Sequence, residues 1–178
     1  MKKILTTALI LCAVFAVHAQ KSAIHINGGV DVAMPVGDWS DGVGIGYGAT
    51  VKGLYGISDV GQVGLTLGYL HFGSKEDLGE GNSLSFGVIP ILALYRHHFG
   101  NLYVEPQIGL SANRSKVTVG GGSDFGFSGS ASTTSLGYAA GVGYLIGNID
   151  LSARYQGFSK DGSSSGFAGI RVAYNFSL

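Results

Sequence analysis

Charge is scarce in this sequence: Asp, Glu, Lys and Arg make up 12% of its 178 residues, about half the share of an ordinary soluble domain. There is one cysteine, Cys12, and it falls in an apolar N-terminal stretch. The rest of the chain can hold neither a disulfide nor a thiolate metal site. No basic run occurs anywhere, which argues against a nucleic-acid partner. Long apolar runs are missing as well. Beyond the N-terminus the longest, Val88 to Tyr95, is eight residues and contains Pro90, far short of the about 20 residues that a membrane helix needs.

What the N-terminus does have is an export signal. Lys2 and Lys3 precede the nearly unbroken apolar stretch Ile4 to Val17, and Val17-His18-Ala19 places small-enough residues at the −3 and −1 positions of a cleavage site. Residues 1–19 are read as a signal peptide and 20–178 as one mature domain, cut between Ala19 and Gln20. Leu11 stands before Cys12, where lipid attachment wants Gly or Ala, so a lipoprotein is set aside. Without Lys2 and Lys3 the exported chain carries 9 basic against 11 acidic residues, a net charge of −2.

A chain this apolar, with no spanning helix, leaves a closed β-barrel as the main membrane option, because only helices and closed barrels satisfy every backbone group in lipid. The 31 glycines agree with β structure. Eight segments alternate with period two, near 24–34, 45–57, 62–72, 84–99, 102–113, 134–146, 149–158 and 167–177. Tight Gly/Asn/Asp turns (57–61, 100–101, 147–148) alternate with longer connections at 35–44, 73–83, 114–133 and 159–166. The expectation is an all-β, eight-stranded antiparallel up-and-down transmembrane barrel with short turns and both termini on the periplasmic side.

The side-chain parity supports lipid outside. Ile149, Leu151, Ala153 and Tyr155 oppose Asp150, Ser152, Arg154 and Gln156, and similar stripes run through 102–111, 168–176 and 47–56. Residues 88–94 are apolar on both faces and leave that strand's parity open. The polar stripe is mostly Gly, Ser, Ala and Thr, as a narrow lumen requires. Its few charges are of both signs: Asp31, Glu105 and Asp150 against Lys52, Arg96, Arg154 and Arg171. Such groups must pair, because an isolated buried charge costs several kcal/mol or more. Arg154 and Arg171 are expected to meet acidic partners such as Asp31. Tyr47, Tyr55, Tyr69, Tyr138, Tyr144 and Tyr174 recur near the ends of the apolar stripe, as an interfacial girdle would.

Met34-Pro35-Val36-Gly37-Asp38-Trp39 after the first segment, the closing Val172-Ala173-Tyr174-Asn175-Phe176, the signal and the eight segments together resemble the outer-membrane β-barrel family of small porin-like proteins, of the OmpX and OmpA barrel type. The resemblance covers essentially the whole mature chain and carries no catalytic signature. It implies a Gram-negative outer-membrane location and insertion by the barrel assembly machinery, which reads a final strand ending in an aromatic residue. It also implies contact with outer-membrane lipid and lipopolysaccharide.

Other constellations point elsewhere less well. Gly37-Asp38-Trp39 fits the lipocalin G-x-W element, but lies in a long connection. His97 and His98 point to opposite faces of a strand and cannot easily share a metal. His71 with Ser74 and Glu76 would resemble an outer-leaflet lipid-modifying site, with no geometry to fix it. Gly120-Gly121-Gly122 lacks the following Lys-Ser/Thr of a phosphate loop, and the acidic clusters Asp38/Asp41 and Glu76/Asp77/Glu80 read as solvated loop charge. No cofactor is expected. An eight-stranded lumen is just wide enough for side chains, so a filled, non-enzymatic, monomeric surface protein is favoured over a narrow conditional channel. Recognition of an external ligand then falls to the loops, above all to 114–133 with Phe125 and Phe127.

N-terminal sequencing of the membrane-extracted protein is expected to begin at Gln20. A mature chain beginning with acylated Cys12 would overturn the assignment.

Overall fold

In the computed structural model, which describes residues 24–75, 83–120 and 126–177, each alternating segment becomes a strand. Each strand pairs antiparallel with the next. They are β1 (Ile24–Val36), β2 (Val43–Gly56), β3 (Gly61–Ser74), β4 (Ser83–Phe99), β5 (Leu102–Gly120), β6 (Gly126–Ile146), β7 (Ile149–Lys160) and β8 (Ser163–Ser177). The last strand returns to the first, closing the barrel. Closure removes both sheet edges and pairs the main-chain groups along every strand. The segment holding Ala19, Gln20 and Cys12 lies outside the described residues.

The tight turns form as their residues dictate. Gly100 and Gly147 take φ of 68° and 58°, the left-handed conformation that a glycine adopts without steric cost. The first and last strands meet at the same end, with His25 opposite Ser177.

The pairing is staggered. From Asp31 it runs through Gly48, Leu70 and Val88 to Asn113 in β5. In the other direction it runs through Arg171, Ser152 and Gly143 to Tyr103, ten residues lower on the same strand. Such a stagger tilts the strands and sets the bore.

Two connections differ from expectation. The 114–133 segment is not a long loop: β5 continues to Gly120 and β6 starts at Gly126, paired throughout from Arg114↔Ser132 to Gly120↔Gly126. Likewise 159–166 is a tight hairpin, Ser159↔Ser164 and Lys160↔Ser163. In both, Gly and Ser weaken the strand pattern in sequence while cross-strand pairing carries it onward. The 35–44 connection holds a short 3-10 helix, Gly37–Asp41.

Parity settles in every strand. Ile89, Ile91 and Tyr95 of β4 face outward, and Val88, Leu92, Leu94 and Arg96 are buried inside. Exposed Val, Leu, Ile, Tyr and Phe cover the outer wall, a display that water would penalise and lipid rewards. Tyr55, Tyr144 and Tyr174 pair with the first residues of β1, β5 and β7 and form a band at the short-turn end. Tyr69 and Tyr138 instead lie across glycines: a Cβ at Gly87 or Gly157 would come within 3.1 and 2.4 Å of their rings.

Inside, the same complementarity operates. A Cβ at Gly46 would lie 2.3 Å from Phe72, and one at Gly143 would lie 2.3 Å from Cζ and Oη of Tyr103. We expect Gly143→Val to displace Tyr103 and lower stability by about 1–3 kcal/mol, read as a lower urea midpoint. Gly53→Val, with nothing within 4 Å of its Cβ position, should leave the midpoint in place. Equal midpoints would refute the packing.

Candidate functional site

The polar parity of β1, β2, β4, β5, β7 and β8 delivers seven buried charges to the lumen: Asp31, Lys52, Arg96, Glu105, Asp150, Arg154 and Arg171. Nearest the short turns, Glu105 receives Lys52 Nζ on Oε1 and Arg96 Nε on Oε2 at 2.7 Å, with Arg96 Nη2 also 2.7 Å from Oε2 but without hydrogen-bond alignment. Arg96 Nη1 also lies 3.3 Å from Asp150 Oδ2, and its Cζ stands 3.8 Å over the Tyr103 ring. Tyr103 Oη donates to Asp150 Oδ1 at 2.6 Å and Asn27 Nδ2 donates to Oδ2 at 2.9 Å. Every carboxylate oxygen in this cluster meets a donor, the condition under which buried ions are tolerated.

Asp31 lies next along the lumen. Arg154 Nη2 is 3.1 Å from its Oδ1 and Arg171 Nε is 3.9 Å from its Oδ2. Thr50 Oγ1 bridges them, donating to Asp31 at 2.8 Å and accepting from Arg171 Nε at 2.6 Å.

The other half of the lumen is largely aromatic and aliphatic, beside a polar chain in which Ser111 Oγ donates to Asn113 Oδ1 and Asn113 Nδ2 donates to Ser135 Oγ. Ala33, Val43, Leu70, Phe72, Val88 and Phe167 form a buried cluster against which Trp39, Phe86 and Phe158 pack. Trp39, carried by the 3-10 helix, meets Phe72 at 5.0 Å and Phe158 edge-on at 5.2 Å, and Phe72 meets Phe167 at 5.4 Å. A luminal stripe of Gly, Ser, Ala and Thr does not by itself imply this plug. Its signal was available: Phe72, Phe86, Phe158 and Phe167 all hold luminal parity near the long-connection ends of their strands. The Gly37-Asp38-Trp39 element thus caps this cluster at the long-connection end of the barrel.

The remaining candidates separate. His71 faces outward against the Tyr47 ring at 5.7 Å, whereas Ser74, three residues on, has the opposite parity, and Glu76 lies outside the described residues. His71 and Ser74 therefore do not converge on one reacting atom. His97 bonds Tyr95 Oη at 3.0 Å outside, while His98 bonds Gln62 Oε1 at 3.0 Å inside. Among the described residues no group of three His, Cys, Asp or Glu could hold a metal. Phe127, on β6 opposite Val119, is 71% exposed, and Phe125 lies outside the described residues.

The outer wall also carries a polar groove that the linear pattern did not reveal. Arg114 and Lys116 continue the outward stripe of β5 just beyond Leu110 and Ala112, so they stand immediately above the apolar band. With Tyr69, His71, Ser85, Ser128 and Ser130 they line a groove of about 550 Å³. Neither cation has an ion-pair partner among the described residues.

The outer membrane protein beta-barrel domain family matches residues 7–176. No curated protein matches the chain. Among solved structures, Ail of Yersinia pestis is similar at a TM-score of 0.56 and 19% identity, covering 87% of this chain and 97% of its own. The N-terminal barrel of Pseudomonas aeruginosa OprF scores 0.53 at 18% identity, covering 85% and 97%. A major outer membrane protein of Thermus thermophilus scores 0.57 at 14% identity, covering 86% and 100%. At these identities the structures speak for a shared fold.

Among the described residues Glu105 is the single ion-pair partner of Lys52, and it shares Arg96 with Asp150. Glu105→Gln is expected to cost roughly 3–5 kcal/mol, because it leaves buried cations uncompensated. Lys116→Gln on the outer rim should change stability by no more than about 0.5 kcal/mol. Urea unfolding in detergent or bilayer compares them, and equal midpoints would sink the ion-pair account.

Proposed function

Because this chain belongs to the outer membrane protein beta-barrel domain family, we propose that it is a non-enzymatic, non-conducting surface protein of that membrane. In this reading its β5–β6 hairpin binds the phosphorylated headgroup of lipopolysaccharide. The observation that carries the reading is the placement of Arg114 and Lys116. They point away from the barrel axis, directly above the lipid-facing stripe of Leu110 and Ala112, and headgroups border the hydrocarbon that such a stripe faces.

Unpaired cations facing lipid at that depth are favourable only beside anions. Hydroxyls of Ser85, Ser128 and Ser130 line the same groove and add donors for phosphate or sugar oxygens. Two properties of the lumen support the absence of conduction: an ion-paired cluster at one end and an aromatic plug at the other. Either would have to open before a solute could pass. The separation of His71 from Ser74 across the wall supports a binding role over an outer-leaflet enzyme.

The test is the double variant Arg114→Ser/Lys116→Ser. It should insert and keep its heat-modifiable migration, since neither residue supports the barrel. Its affinity for purified lipopolysaccharide in detergent should fall on the order of 30-fold, at about 1 kcal/mol for each cation beside an anionic surface. Unchanged affinity in an assembled double variant would rule the groove out as the binding surface.

A further inference from the structure

The buried charges of the lumen do not balance, and the excess has a place. Four cations, Lys52, Arg96, Arg154 and Arg171, stand against three carboxylates, Asp31, Glu105 and Asp150. Lys52 and Arg96 are matched by Glu105 and Asp150. Arg154 and Arg171 share Asp31 alone. Arg171 directs its donors to Thr50 and Asn27, through side-chain and main-chain oxygens.

Arg154 is placed differently. Its Nη2 lies 3.1 Å from Asp31 Oδ1 without hydrogen-bond alignment, and its Nε and Nη1 have no acceptor. The residue is only 7% exposed. Two positions along the same luminal face of β7, Gln156 is fully buried, and neither its Nε2 nor its Oε1 has a partner. Thr66 Oγ1 and Gln107 Oε1, on strands across the bore, are unpartnered too. Phe167, paired with Gln156 in the sheet, sets its ring 5.9 Å from Arg154 Cζ. These orphan groups occupy the level between the ion-paired cluster and the aromatic plug.

Burial normally resolves an unpaired ionisable group by neutralising it. A guanidinium cannot take that route, because it stays protonated in proteins. It needs a second anion, and the described lumen offers no further carboxylate. We infer that the barrel binds a small inorganic anion of the halide class in mid-lumen, held by Arg154 Nε and Nη1 and by Gln156 Nε2. Ordered water serves Thr66 Oγ1, Gln107 Oε1 and Gln156 Oε1, each of which can accept. A halide suits these donors because it is small and its single charge equals the one excess cation of the lumen, at a level with the ion pairs below it and Trp39, Phe72, Phe158 and Phe167 above it.

The mature barrel provides the test, with chloride and bromide as probes. Crystals soaked in bromide should show an anomalous peak beside Arg154 and Gln156. Replacing gluconate by chloride at constant ionic strength should raise the urea midpoint, and Arg154→Gln should abolish that difference. If Arg154→Gln does not fold, Gln156→Leu keeps the charge and removes one donor. It should then shrink both the chloride effect and the bromide peak. Absence of a luminal bromide peak overturns the inference. A chloride effect that the variant leaves unchanged does so as well, leaving these groups to water.

Discussion

Backbone hydrogen bonding is the constraint on which this structure turns. In lipid an unpaired N–H or C=O costs several kcal/mol, so a sheet that meets lipid has to close on itself. Closure of eight strands with a ten-residue stagger fixes a bore that side chains can fill. Once the bore is that narrow, the residues of its middle are buried whether or not they are apolar, and the chain has to supply partners for its own charges. The lumen chemistry is a consequence of closure, not an addition to it.

That chemistry divides along the barrel axis. Toward the short turns, Glu105 and Asp150 hold Lys52, Arg96, Tyr103 and Asn27 in one network. Toward the long hairpins, Trp39 and four phenylalanines pack together, beside the hydrogen-bonded Ser111, Asn113 and Ser135. The two halves make different demands. Ion pairs require geometry and tolerate little loss of a partner, while aromatic packing requires volume, supplied by glycines such as Gly46 opposite Phe72. Arg154 and Gln156 stand where the two halves meet, and there the polar groups outnumber their partners.

The outer surface follows from the same closure. With the wall given to lipid and the bore filled, the rim is the surface left for the recognition proposed above. There β5 and β6 outlast the apolar band by several residues, so their outward stripe changes from Leu110 and Ala112 to Arg114 and Lys116 without a break in the strand. A rigid paired hairpin holds those cations at a fixed height, which a flexible Gly/Ser loop would not.

Much of this was legible in the linear chain. Alternation at Ile149-Asp150-Leu151-Ser152 and its counterparts assigned strand, face and closure, because a period of two admits only two sides. The seven charges shared one parity, and that alone placed them together in the bore. Strand ends were less legible: Ser128, Ser130 and Ser132 carry no hydrophobic pattern, and only their partners on β5 reveal them as strand. Depth was not legible at all. Which charges meet, Arg96 with Glu105 and Asp150 or Arg154 with Asp31, depends on the stagger between strands. So does the position of the four phenylalanines above them. Alternation within one strand determined the side on which each residue lies, but only the tilt of the closed sheet decided its height and its neighbours, because register is a relation between strands.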